Sequence, residues 1–84
     1  MPRGSDSSHL TRPIHAMPAE VRRALTERGL FDAYNERPAY QRNDYLGWIA
    51  RAKLPETRQR RLTQMLAELE RGDVYMNMKW APHP

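Results

Sequence analysis

The chain has 84 residues with no cysteine, 14 Lys and Arg against 10 Asp and Glu, and 39% hydrophobic residues. That length holds one small domain and is too short for a dinucleotide-binding or barrel fold. The lack of cysteine removes disulfides and thiolate metal sites. No apolar run of about eighteen residues and no apolar leader occurs, so the expectation is a cytoplasmic chain without a membrane span or secretory signal.

The net charge of +4 attracts nucleic acid, anionic lipid and acidic protein by the same Coulomb term, so it does not choose among them. Twelve of the basic residues are Arg and two are Lys, a bias that GC-rich coding would produce without selection for a partner.

Residues 1–16 open with Pro, Gly and hydroxyl residues around one large apolar side chain, Leu10, and read as a flexible arm. Residues 17–72 read as the helical domain. Pro18 fits a first helical position, Val21, Ala24, Leu25 and Arg28 follow at helical spacing, and Gly29 suits a left-handed stop. Leu30, Phe31 and Tyr34 suggest a short helical piece closed by Asn35 and Pro38. A third segment, about 39–53, carries Tyr45, Trp48, Ile49 and Ala52 on one face; Gly47 inside it either weakens the helix, by roughly 1 kcal/mol relative to Ala, or implies a close packing neighbour.

Leu54-Pro55 breaks that helix, and Pro55 begins the next, with Glu56 in its first turn. Leu62, Met65, Leu66 and Leu69 form its apolar stripe and Gly72 ends it. In residues 73–84, Val74, Met76, Met78 and Trp80 alternate with Tyr75, Asn77 and Lys79, which predicts an extended strap packing on the domain. Exchanged between copies, the strap would make a dimer; otherwise the chain is a monomer. The predicted fold is all-α, a small bundle of three to four short helices with an N-terminal arm and a C-terminal strap.

Catalytic chemistry is poorly provided for. His9, His15 and His83 lie near the chain ends, and Ser5, Ser7 and Ser8 lie in the arm, where no base would be held beside them. Asp32, Glu36, Asp44 and Glu56 are scattered, no His/Asp/Glu pair has metal-ligand spacing, and there is no glycine-rich phosphate loop. The expectation is a non-enzyme without cofactor or metal.

The informative stretch is residues 51–61, with Arg51, Lys53, Arg58, Arg60 and Arg61 against Glu56 alone. Cations at a helix start oppose the dipole, so a carboxylate or an external anion is expected to offset them. Helical phasing puts Arg58 on the apolar stripe, Arg61 at its edge and Arg60 outward. Arg58 is thus expected to stack on Trp48 or pair with an acid. The two helices and their tight turn could also form a DNA-reading helix-turn-helix, but Arg58 and Arg61 face the core side and the turn lacks glycine.

The run from Arg42 resembles the YdeI/OmpD-associated (OmdA-like, bacteriocin-protection) family, whose pattern reads approximately R-x-E-Y-x-x-W-I-x-x-A-K-x-P-E-T-R-x-R-R-I, then Gly. It is met by Arg42, Asp44 (for Glu), Tyr45, Trp48, Ile49, Ala52, Lys53, Pro55, Glu56, Thr57, Arg58, Arg60, Arg61, Leu62 (for Ile) and Gly72. The resemblance implies a small helical module linked to envelope stress and to bacteriocin or antimicrobial-peptide tolerance, with no established catalysis or cofactor. Tyr40 departs from the family's frequent Ser or Thr. Functions residing in the further N-terminal domain of many members are not carried over.

Physically, Glu56 can pair with an arginine and Thr57 can satisfy a free N–H at the helix start. Trp48, Lys53, Thr57, Arg58, Arg60 and Arg61 then form a candidate surface for an acidic protein segment or small anion. Arg42, Asp44, Tyr45, Ile49, Pro55, Glu56, Leu62 and Gly72 are read as structural. The alternative is nucleic-acid binding through Arg51, Lys53 and Arg60, helped by Arg3 and Arg12. No helix joins a strong basic face to a broad apolar one, as membrane-surface binding by a helix requires.

Overall fold

The computed structural model describes residues 15–81. The expected arm therefore lies mostly outside the described residues, together with His9, His83 and the three serines. Helices α1 (Ala19–Arg28), α2 (Phe31–Glu36), α3 (Ala39–Ala50) and α4 (Pro55–Arg71) are followed by strands β1 (Val74–Tyr75) and β2 (Met78–Lys79). The fold is mostly helical, with that one small antiparallel sheet.

Each helix boundary has a local cause. Pro18 sits just before α1 in extended conformation (φ −64°, ψ 153°), one place earlier than expected. At the other end Gly29 is left-handed (φ 67°). Its N–H reaches Thr26 O at 3.2 Å and the Leu30 N–H reaches Leu25 O at 2.9 Å, the paired bonds of a Schellman stop. Pro38 separates α2 from α3 because the residue before a proline is driven out of helix, and Arg37 is extended there (φ −71°, ψ 148°). α3 ends at Ala50, short of the expected Lys53. Pro55 occupies the first turn of α4, and left-handed Gly72 (φ 80°) closes it.

The apolar stripes converge on one core. Val21, Leu25, Tyr45, Ile49 and Met65 are fully buried, and Leu46, Leu62, Leu66 and Leu69 nearly so. α3 and α4 pack along each other, as the short turn between them demands. Gly47 on α3 lies beneath a close approach by the His15 ring. A Cβ there would stand 2.6 Å from Nε2 of His15, whose own backbone N–H donates to Asn43 Oδ1 at 2.7 Å. Gly47→Ala is expected to push His15 off α3 while the helix persists. Faster hydrogen exchange at the His15 amide, with global stability changed by no more than about 1 kcal/mol, would show it.

The tail corrects the expected extended strap. It reverses at Met76 (φ 51°) and Asn77 (φ 66°), two left-handed residues that make a hairpin turn matched to the twist of the strands. Val74 pairs with Lys79 and Tyr75 with Met78, and the Trp80 N–H donates to Asp73 O at 2.9 Å. The reversal splits the alternating residues. Met76 and Tyr75 pack against the core, whereas Met78 is 58% exposed.

Candidate anion-binding corner

The turn between α3 and α4 collects the basic residues. Arg61, half-buried on the second turn of α4, donates from Nη1 to Trp48 O at 2.6 Å, and its guanidinium lies 5.3 Å from the Trp48 ring centre. Arg58 donates from Nη2 to Ala52 O at 3.3 Å. The arginine that stacks on Trp48 is therefore Arg61. Arg58 instead fastens the turn, because one helical turn earlier its side chain meets residue 52.

These contacts explain why cations tolerate the positive end of α4. They reach across to carbonyls at the end of α3 (Trp48) and just beyond it (Ala52), near the negative end of its dipole, so backbone oxygen supplies part of the offset that the sequence led one to expect from a carboxylate or an external anion. Glu56 makes no ion pair among the described residues. The ion pairs there are Arg28–Glu70 at 3.2 Å and Arg71–Asp73 at 3.4 Å, both away from the corner. No side chain caps the start of α4 by a hydrogen bond, and Thr57 is half-buried. Arg51, Lys53 and Arg60 are exposed beside Leu54, Pro55 and Glu56.

Tyr45, Ile49 and Leu62 are buried, Pro55 and Gly72 bound α4, and Asp44 accepts the Tyr75 hydroxyl at 2.6 Å. Arg42 is half-buried, with its Nε buried and without a hydrogen-bond partner.

A second polar cluster, missed in the sequence, centres on buried Glu68 of α4. Its carboxylate accepts the Tyr45 hydroxyl at 2.5 Å, Gln64 Nε2 at 3.0 Å, and the Met76 and Asn77 amides at 2.8 and 2.9 Å. Burial alone would raise the Glu68 pKa, but the donors from Tyr45, Asn77, Met76 and Gln64 outweigh it and hold it below the ordinary 4.5. Tyr45 moves the other way. Burial, and then its hydrogen bond to Glu68, push its hydroxyl far up, so it remains a donor.

Beside this cluster, buried Arg37 donates to Gln41 Oε1 at 3.1 Å and to Glu68 O at 2.9 Å, and lies 4.6 Å from the Trp80 ring centre. Among the described residues no group of three or more His, Cys, Asp or Glu is placed to hold a metal ion. No helix there is long and apolar enough to cross a membrane.

The family described as bacteriocin-protection, YdeI or OmpD-associated matches this chain over residues 15–72. The chain belongs to that family. No curated protein and no solved structure matches it. The family match spans all four helices and stops at Gly72, so the hairpin that Glu68 holds lies beyond the matched region.

Proposed function

We propose that this family member serves bacteriocin protection as a non-catalytic binding module, its α3–α4 corner taking an acidic protein segment or a small anion such as phosphate. The observation that carries the reading is that no carboxylate neutralises the corner's charge. Arg51, Lys53, Arg58, Arg60 and Arg61 make no ion pair with a carboxylate among the described residues, and three of them stand exposed. Trp48 and the arginine arrayed over it supply a rigid wall, and guanidinium groups suit carboxylate and phosphate geometry. A cationic peptide would be repelled by this face, so protection would act through an acidic partner.

Charge reversal tests the reading. Arg60→Glu and Lys53→Glu are each expected to weaken binding of an acidic peptide about five- to tenfold at low salt, with the difference shrinking as salt rises. Quenching of Trp48 fluorescence would follow the titration, with Trp80→Phe used to isolate that signal. Equal affinity in wild type and both variants would count against the corner. Tight duplex DNA binding whose salt slope is near 0.9 per phosphate would favour nucleic acid instead.

A further inference from the structure

The α3–α4 turn also carries an apolar apex. Lys53, Leu54, Pro55 and Glu56 are exposed in succession, so the turn faces solvent. It is anchored from below by Ala52 and Leu62, which are buried. Leu54 is 57% exposed. It is held there by its extended backbone (φ −96°, ψ 140°), which Pro55 enforces.

A lone exposed leucine is ordinary. This one is accompanied along the chain by Arg51, Lys53, Arg58, Arg60 and Arg61, none paired with a carboxylate among the described residues, and by a single acid, Glu56.

Resting on the reading of this corner as an anion-binding surface, we propose that the turn docks on an anionic phospholipid bilayer. Leu54 enters the headgroup–acyl boundary and Arg51, Lys53 and Arg60 meet lipid phosphates. The membrane boundary is where an apolar layer and a sheet of anionic groups lie within a side chain's length of each other. Free phosphate would engage the cations and leave Leu54 in water. The basic and apolar elements are joined at a turn, so no amphipathic helix is needed.

Flotation of the full chain with phosphatidylglycerol vesicles at low salt, against phosphatidylcholine vesicles, tests this. Binding is expected to the anionic vesicles alone. Leu54→Ser should reduce it roughly fivefold without changing the response of Lys53 and Arg60 amides to inorganic phosphate. Glu56→Gln should strengthen it, by roughly two- to fivefold, because it removes the one opposing charge. Circular dichroism checks that both surface variants stay folded.

Vesicle binding that Leu54→Ser leaves unchanged overturns the proposal. So does an absence of vesicle binding while phosphate or an acidic peptide still perturbs the corner, an outcome that leaves the anion reading standing. If neither vesicles nor anions perturb it, both fall together.

Discussion

Replacing Glu68 with alanine is expected to lower the free energy of unfolding by about 3 kcal/mol, the largest effect of any polar substitution in the domain. One carboxylate satisfies the Tyr45 hydroxyl from α3, the Gln64 amide one turn back on α4, and both amides of the hairpin turn. Its loss leaves four donors to find other partners: the Tyr45 hydroxyl in buried surroundings, Gln64 and Met76 half-buried, and Asn77 exposed. A chain of 84 residues has a total stability of roughly 4–12 kcal/mol, so the loss removes between about a quarter and three quarters of it. Urea denaturation measures it directly.

The effect has a pH signature. Because the fold holds the Glu68 pKa below its ordinary 4.5, its contribution is fully present at neutral pH. It is lost as pH falls through the ordinary carboxylate range toward the folded value. Glu68→Gln keeps one acceptor oxygen and cannot ionise, so it should cost less at neutral pH, about 1–2 kcal/mol, and flatten the acid slope of stability. An unaltered acid slope would show that Glu68 is not held as a carboxylate.

Arg37→Ala is expected to cost about 2–3 kcal/mol. The Arg37 fork satisfies Gln41 Oε1, on a residue with no exposed surface, as well as Glu68 O, and its face supports Trp80. Removing it strands the Gln41 oxygen and frees the end of the hairpin. Arg37→Lys keeps the charge but not the planar fork or the stack, and should recover less than half of the loss. A blue-to-red shift of Trp80 emission, read in a Trp48→Phe background, should accompany both variants in proportion.

The two clusters differ in how far the sequence exposes them. The helices were legible because Val21/Leu25, Tyr45/Ile49 and Leu62/Met65/Leu66/Leu69 repeat at helical spacing and because Gly29, Pro55 and Gly72 punctuate them. The basic corner was legible as a run of charge, and its exposed member Arg60 follows from helical phase alone. Which guanidinium lies on Trp48 was not. Arg58 and Arg61 are three residues apart on neighbouring parts of one face, and the axial offset between α3 and α4 decides which reaches the ring.

Glu68 was missed for a different reason. A glutamate flanking an apolar stripe is normally solvated, and its donors come from residues 45, 64, 76 and 77, three of which belong to other elements and meet it only once α3 and the hairpin have packed on α4. The one local signal was Asn77, a residue that tolerates left-handed backbone. Met76 beside it disguised the turn, since the alternation of Val74, Met76, Met78 and Trp80 reads equally well as one uninterrupted strand. The hairpin exists because its turn amides face a carboxylate from another element.

Backbone amide NMR during titration of the full chain with inorganic phosphate, and separately with an acidic peptide, tests the anion-binding corner most directly. The predicted result is saturable shifts confined to Arg51, Lys53 and the 56–61 amides together with the Trp48 indole, weakened by Arg60→Glu and by added salt. Shifts spread evenly over the arginines of α1 and α4, or none in residues 48–61, would contradict it.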